Sequence, residues 1–380
     1  MSVLPRSLRN ALHLILISLI VIPAAGMLPG PSIAHASGPV FSGMDARSGS
    51  YSVALPEGVI GPMITVQSAT SDWTAEGDQA DALLGVSVRT AGDVNGDGYD
   101  DVIVGAPYYD GDSDINGGRA LVFHGSAAGL AASADWIVTG NQSYAQFGWS
   151  VGAAGDVNGD GYDDVIIGAP YYDNGQTNEG AAFIYHGSAS GLSTTAGWIA
   201  ESDQADAHLG HSVGAAGDVN GDGYDDVIAG APYYDNGQTN EGRAYLFLGS
   251  AAGLSSTAGW TAESNNDVAR LGQSVGTAGD VNGDGYDDVI VGAPDYDNGQ
   301  LYEGAAFVYH GSAAGLSATA SWLAEGNQAY ARFGFSVSSA GDGNGDGYAD
   351  VIIGAPDYSN GQDREGAVLI HHGSATGLLA

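Results

Sequence analysis

The sequence predicts an all-β repeat fold, and three observations support that prediction. A nine-residue acidic loop begins at Asp93, Asp156, Asp218, Asp280 and Asp342, so that successive loops start 63, 62, 62 and 62 residues apart. Short apolar runs bounded by Gly, Pro and Asn-Gly turns separate the loops, which is typical of strands and hairpins. None of the runs has a helical period. A fixed period of this length indicates a propeller or another repeat array.

Each unit repeats the same signals in the same order. A Trp opens the unit, and Leu-Gly or Phe-Gly, the acidic loop, Gly-Ala-Pro and Gly-Ser follow it. In the second unit these signals begin at Trp136, Phe147, Asp156, Gly168 and Gly187. Five copies in one phase predict five equivalent structural units.

Four strands are predicted in each unit, and in the second they cover 136–138, 150–154, 164–168 and 181–186. The acidic loop joins the second strand to the third, and a turn at Asp173-Asn174-Gly175 joins the third to the fourth. Runs such as 164–168 are apolar at consecutive positions, which predicts strands covered on both faces. Blades stacked around an axis cover strands in this way. The sequence therefore predicts a β-propeller of five four-stranded blades over residues 71–380.

The acidic loops predict calcium sites. Oxygen-bearing side chains stand at positions 1, 3, 5 and 9 of a glycine-kinked loop, and hard oxygen ligands suit Ca²⁺. An EF-hand is excluded because position 12 holds an apolar residue of a predicted strand instead of a bidentate Glu. About five structural Ca²⁺ ions are expected. The predicted side-chain ligands are Asp93, Asn95, Asp97 and Asp101; Asp156, Asn158, Asp160 and Asp164; Asp218, Asn220, Asp222 and Asp226; Asp280, Asn282, Asp284 and Asp288; and Asp342, Asn344, Asp346 and Asp350.

Composition excludes several classes of partner. The formal net charge is -36, with 45 acidic residues against nine Lys and Arg. Such a surface repels nucleic acid and anionic membranes, so neither is an expected partner. The acidic loops account for part of the charge, and adaptation to a salty environment is an alternative contribution. The chain has no Cys, so calcium is expected to stiffen the fold in place of disulfides.

Residues 1–36 have the features of a secretory signal. Arg6 and Arg9 precede an apolar run over 12–22, and Ala34-His35-Ala36 supplies a small-x-small cleavage site. An uncleaved anchor is the alternative, but the run ends at Pro23 and is shorter than the ~20 residues that span a bilayer. Residues 37–70 form a lead-in segment without the repeat. A secreted or cell-surface protein is expected, with no membrane insertion after cleavage.

The chain resembles the FG-GAP repeat proteins, which include the β-propeller at the head of integrin α subunits. The resemblance covers 71–380 and rests on Leu-Gly or Phe-Gly, the acidic loop and Gly-Ala-Pro in fixed order. It implies one four-stranded blade per repeat, near 71–133, 134–195, 196–257, 258–319 and 320–380, with a structural Ca²⁺ ion in each loop. It also implies that the position-7 carbonyl is a ligand, at Tyr99, Tyr162, Tyr224, Tyr286 and Tyr348.

The chain departs from the integrin pattern in two ways. Position 3 of each loop is Asn rather than Asp, which leaves three carboxylates per ion and implies weaker binding. Five repeats stand where the integrin head has seven. The segment 72–76, which contains Trp73, is expected to close the ring by joining the fifth blade, and a fragment of a longer gene is the alternative.

An enzyme is not expected, because an active site would occur once rather than five times. His124, His186, His310 and His372 share one repeat position and are expected to pack. The sequence contains neither a nucleophile elbow nor a phosphate-binding loop. The resemblance favours an adhesion or ligand-binding module with an extracellular protein or glycan partner. The alternatives are a calcium-stabilised component of an extracellular coat and, less favoured, an accessory domain of an extracellular hydrolase.

The loops opposite the calcium side are the predicted ligand face. They are rich in Tyr, which offers contact area at little entropic cost. The alternative is that these rings pack between blades. The candidates are Tyr108, Tyr109, Tyr171, Tyr172, Tyr233, Tyr234, Tyr296 and Tyr358.

Overall fold

The computed structural model describes residues 71–379, and in this range the regular structure is entirely β-strand. The strands form five sheets, called blades 1 to 5 below. Their bounds are β1 Val88–Gly92, β2 Asp101–Ala106, β3 Arg119–Phe123 and β4 Trp136–Thr139; β5 Ser150–Gly155, β6 Asp164–Ala169, β7 Ala181–Tyr185 and β8 Trp198–Glu201; β9 Ser212–Gly217, β10 Asp226–Ala231, β11 Arg243–Phe247 and β12 Trp260–Glu263; β13 Ser274–Gly279, β14 Asp288–Ala293, β15 Ala305–Tyr309 and β16 Trp322–Glu325; and β17 Ser336–Gly341, β18 Asp350–Ala355 and β19 Ala367–His371.

Each blade is an antiparallel meander in which strands adjacent in sequence are adjacent in the sheet. Blades 1 to 4 have four strands, and blade 5 has three. The predicted fold class is therefore confirmed, with one strand fewer in blade 5 than expected. The fourth strand of a complete blade comes from the segment that opens the next unit, as with β4 at Trp136. Within residues 71–379 no such segment follows β19.

The second strand of each blade explains the consecutive apolar runs. All six residues of β6 are buried, and its register pairs Val165 with Tyr185 and Ile167 with Phe183. The core lies between neighbouring blades, where Val122 of blade 1 and Val165 of blade 2 belong to one buried cluster. Burial on both faces is what a stack of blades requires.

The first strands of successive blades contact one another in chain order, from β1 through β5, β9 and β13 to β17. The Gly-Ala-Pro glycine, in the second strand, permits a further close approach to the next blade. A Cβ on Gly105 would collide with the carbonyl oxygen of Gly148 in the next blade. The sequence therefore needs Gly at this repeat position because backbone meets backbone there.

Ring closure through residues 72–76 is not seen. The segment forms no strand, and the Trp73 indole Nε1 donates to the carbonyl oxygen of Ala131 in blade 1 at 2.8 Å. Its ring packs edge-on against Phe123. In blade 5 the side chains of Val368 and Ile370 are exposed, at 69% and 53%. Trp73 contacts the unit that it opens, as Trp136 does through Ser193 and Tyr185. Among the described residues β19 has no strand paired to its outer edge.

Within residues 71–379 no helix is long and apolar enough to cross a membrane. The predicted signal over 1–36 and the lead-in segment over 37–70 lie outside the described residues, as do the boundaries assigned to them.

Candidate metal sites and ligand face

Each acidic loop joins the first and second strands of its blade and is organised by its own side chains. In blade 1 the position-1 carboxylate of Asp93 accepts from the amides of Asp97 at 3.0 Å and Gly98 at 2.8 Å. The Oδ1 atom of Asn95 accepts from the Asp97 amide at 2.9 Å. The Oδ1 atom of Asp97 accepts from the Tyr99 amide at 3.0 Å. The oxygens of positions 1, 3 and 5 are thus gathered around one short stretch of backbone.

The same arrangement recurs in the other four loops. The position-6 amide lies 2.8 to 2.9 Å from the position-1 carboxylate in all five copies. Positions 4 and 6 are glycines, and Gly96 and Gly98 have φ values of 72° and 88°. A left-handed backbone of this kind favours Gly, which is why the loop keeps both glycines.

Position 9 is the buried end of the loop. Asp101 is fully buried, and its carboxylate accepts from the amide of Val94 at 3.1 Å and from that of Gly125 at 2.7 Å. It therefore fastens the loop to the turn between the third and fourth strands. In blade 3 burial raises the pKa of Asp226 to about 7, and the charges of Asp222 and Asp218 push it in the same direction.

The donor set fits a calcium ion. Each carboxylate has about four acceptor positions, so the one to three amide contacts that it makes leave an acceptor position free for a cation. The three aspartates of a loop do not, however, bring one oxygen each within 4.8 Å of one another. Among the described residues only Glu179, Glu201 and Asp203 do so. The position-9 Asp is instead drawn towards the amides that it accepts from, as Asp101 shows.

Position 8, which is not a predicted ligand, connects the loops of adjacent blades. The Oδ2 atom of Asp163 in blade 2 accepts from the Asp93 amide in blade 1. Asp225 and Asp287 make the same contact with the preceding loops. In blade 5 the residue is Ala349, which keeps only a backbone contact to Asp280. An Asp at this position in four of five copies was the available sequence signal.

Two of the four repeat histidines have a polar role that the repeat pattern did not predict. The Nδ1 atom of His186 lies 3.1 Å from Asp164 Oδ2, and that of His372 lies 2.9 Å from Asp350 Oδ2. Both partners are position-9 aspartates. The hydrogen bond to Asp164 raises the pKa of His186, whereas burial lowers that of His310. The expectation that all four residues only pack is therefore wrong for His186 and His372.

The eight candidate tyrosines lie at the opposite end of the blades, and all are half-buried. The second Tyr of each pair packs on its own blade. The ring centroid of Tyr172 lies 5.5 Å from that of Phe183, and the guanidinium of Arg243 lies 3.7 Å from the ring centroid of Tyr234. Packing therefore accounts for these rings, as the alternative interpretation expected.

The first Tyr of each pair contacts neighbouring blades instead. The ring of His208 lies between Tyr171 and Tyr233, with centroid distances of 4.5 and 4.8 Å. Charged residues continue this row in blades 4 and 5, where the first Tyr is replaced by Asp295 and Asp357.

Ion pairs link these two aspartates across blades 4 and 5. Asp295 is 5% exposed and contacts Arg270 at 3.1 Å and Arg332 at 3.6 Å. Asp357 contacts Arg332 at 3.5 Å and Arg364 at 2.8 Å. The row, called the central row below, is thus aromatic over blades 1 to 3 and ionic over blades 4 and 5. The tyrosine pattern alone did not indicate its ionic half, although Arg270 and Arg332 stand one repeat apart.

The five units match a known repeat family. The model of the FG-GAP repeat matches residues 84–123, 147–185, 209–247, 271–309 and 333–371. The chain is 36% identical over 223 residues to integrin alpha-PS2 of Drosophila melanogaster, covering 55% of this chain and 15% of that protein. It is 34% identical over 220 residues to integrin alpha-V of Gallus gallus, covering 55% of this chain and 20% of that protein. The aligned part is thus a small fraction of these relatives.

Among solved structures, rhamnogalacturonan lyase YesW aligns with a TM-score of 0.40 and 14% identity, over 77% of this chain and 49% of that chain. A likeness at this level has no bearing on function.

Proposed function

Because this chain belongs to the FG-GAP repeat family, whose model matches all five of its units, we propose that it is a secreted or cell-surface calcium-binding module. In this proposal it binds an extracellular protein or glycan as an integrin α head does. Calcium sets the shape of the blades from one end, and ligand is bound at the other end. Secretion rests on the signal predicted over 1–36.

The observation that carries the calcium assignment is the repetition of one loop geometry five times. In each loop the side chains at positions 1, 3 and 5 surround the same backbone amides, and a buried Asp stands at position 9. The proposed ligands are these four side chains and the position-7 carbonyl. A bound calcium ion supplies the positive charge that three crowded carboxylates lack. It also holds the first and second strands together at their turn.

The proposed ligand surface is the central row. Tyr and Arg are the side chains most enriched at binding hot spots, and this row presents both within one stretch of five blades. Its aromatic half, around Tyr171, His208 and Tyr233, suits the faces of sugar rings or apolar side chains. Its ionic half has the Arg332 side chain 42% exposed between two aspartates, which suits a polar or acidic group.

No catalytic role is proposed. The reactive-looking side chains of the acidic loops are present in every blade, whereas catalysis requires one assembled constellation. The second candidate function is a structural component of an extracellular coat. It is favoured by the exposed apolar side chains of β19, Val368 and Ile370, because an unpaired apolar edge strand promotes association.

The test is a binding screen of the full chain against matrix proteins and glycans, in calcium and in chelator. We expect a hit that needs calcium and is weakened at least tenfold by Tyr171→Ala or Arg332→Ala. Ser190→Ala is the matched control, since Ser190 is exposed at the calcium end and should not affect binding. Self-association without any ligand would favour the coat, and turnover of a ligand would contradict the binding role.

A further inference from the structure

Blade 2 contains a buried carboxylate with an unpartnered oxygen at the end opposite its acidic loop. Glu179 is fully buried. Its Oε1 atom accepts from the backbone amides of Asn174 at 2.5 Å and Gln176 at 3.4 Å. Its Oε2 atom is buried and has no hydrogen-bond partner. An unsatisfied buried oxygen of this kind is costly, and a charged one more so.

Two further carboxylates converge on the same place. One oxygen each from Glu179, Glu201 and Asp203 lie within 4.8 Å of one another. Glu201, at the end of β8, is held in position by the Asn174 amide group, whose Nδ2 atom lies 2.9 Å from both carboxylate oxygens. Burial raises the pKa of Glu179, and the charges of Glu201 and Asp203 raise it further. The cluster therefore lacks positive charge.

Blade 3 provides an internal comparison at the same repeat positions. Glu241 and Glu263 replace Glu179 and Glu201, and the Oε2 atom of Glu241 is likewise buried without a hydrogen-bond partner. The guanidinium of Arg243, however, pairs with Glu263. Asn265 stands in place of Asp203, which removes one carboxylate. In blade 2 the residue at the Arg243 position is Ala181. One blade therefore has a built-in cation for two carboxylates, and the other has three carboxylates and no cation.

We propose that Glu179, Glu201 and Asp203 form a calcium site distinct from the five acidic loops. The ligands are hard carboxylate oxygens, and their number leaves room for water, as Ca²⁺ accepts 6–8 oxygens. The three oxygens lie within 4.8 Å of one another, which is close enough for one calcium ion, with bonds of about 2.3–2.6 Å, to contact all three.

The site lies on the ligand side of blade 2. The Asp173-Asn174-Gly175 turn joins β6 to β7, whereas the acidic loop joins β5 to β6, so the two are at opposite ends of the blade. Burial raises the pKa of Tyr172, a candidate of the ligand face, and the charges of Glu201 and Glu179 raise it further. A bound ion would therefore add positive charge beside that face.

The experiment counts calcium ions per chain by native mass spectrometry on the full protein. Glu179→Gln and Ala181→Arg should each bind one ion fewer than the parent, the latter because it installs the guanidinium that blade 3 has. Asp203→Asn should weaken one site at least tenfold. The matched control, Glu241→Gln, should leave the count unchanged, because Arg243 already balances blade 3.

Stability separates ion loss from misfolding. In chelator, Ala181→Arg should melt at or above the parent melting temperature, since the new cation reduces the repulsion between the three carboxylates. Addition of calcium should raise the melting temperature of Ala181→Arg less than it raises that of the parent. A count unchanged in both Glu179→Gln and Ala181→Arg would overturn the site and assign the balancing charge to a proton on Glu179. Loss of ions from acidic-loop variants is a separate result, so the two assignments fail independently.

Discussion

The side chain of Asp163 reaches the preceding blade and accepts a hydrogen bond from the backbone amide of Asp93, 2.7 Å away. Asp93 is the first proposed calcium ligand of blade 1, and Asp163 is the neighbour of the last ligand of blade 2. The loops of blades 1 to 3 are each braced by a side chain from the next loop. This contact recurs between blades 2 and 3 and between blades 3 and 4.

Asp222→Ala should remove one calcium ion from blade 3, because a loop with two carboxylates is a poor cage for Ca²⁺. Native mass spectrometry in a calcium buffer gives the count. The control is Asp112→Ala, which deletes an exposed acid outside the loops and should leave the count unchanged. An identical count in Asp222→Ala and the parent would sink the ligand assignment.

Chelation should lower the melting temperature steeply. With a dissociation constant near 0.1 mM, as in many extracellular modules, ~1 mM calcium contributes about 1.4 kcal/mol per site and about 7 kcal/mol over five sites. The whole net stability of a domain is only about 5–15 kcal/mol. Thermal melts in calcium, magnesium and chelator test this, and magnesium should not restore the calcium value. Three coincident melts would show that the strands need no ion.

Asp225→Ala should weaken the joint between blades 2 and 3 without removing an ion. Hydrogen bonds to charged groups are worth about 1.5–3 kcal/mol, and Asp225 accepts from the Asp156 amide at 2.9 Å. We expect a lower free energy of unfolding in calcium and an unchanged calcium count. Ala349→Asp is the reciprocal variant and should stabilise the fourth joint. A lost ion in Asp225→Ala would instead identify position 8 as a ligand.

His211 should make stability depend on pH. Burial, and after it the nearby His208, lower its pKa to about 4, while the unfolded value is near 6.5. The unfolded chain therefore binds the proton more tightly. The stabilising contribution is full above pH 6.5 and is lost as the pH falls towards 4. His211→Gln introduces the residue that blade 4 has at Gln273. In this variant the melting temperature should change less with pH over this window. An unaltered slope would contradict the prediction.

The fold could be predicted because its repeat period can be observed directly in the amino-acid sequence. The predicted strand 164–168 differs from β6, Asp164–Ala169, by one residue, since consecutive burial selects an unbroken apolar run. The acidic loops could be predicted equally well from the sequence, because their ligand positions lie within nine residues. The assignment of ions to them stays a prediction.

Contacts between blades could not be predicted in the same way. Asp163 contacts Asp93, seventy positions away in the sequence, and Arg332 contacts Asp295 and Asp357 on two different blades. Such partners are selected by how neighbouring sheets are oriented, which no local pattern specifies. The same limit applies to Trp73: its position in the repeat suggested the outer strand of blade 5, but residues 72–76 form no strand. Its ring contact with Phe123 is the one that Trp136 makes with Tyr185.

The bracing aspartates all act in one direction along the chain, from a later blade onto an earlier one, and the last of them is missing at Ala349. Cooperativity in a stack of this kind passes between nearest neighbours only. Opening of blade 5 therefore breaks no carboxylate contact to another loop, whereas opening of blade 2 releases the loop of blade 1. Blade 5 should therefore open more readily than the other blades, and amide hydrogen exchange should be fastest in β17 to β19.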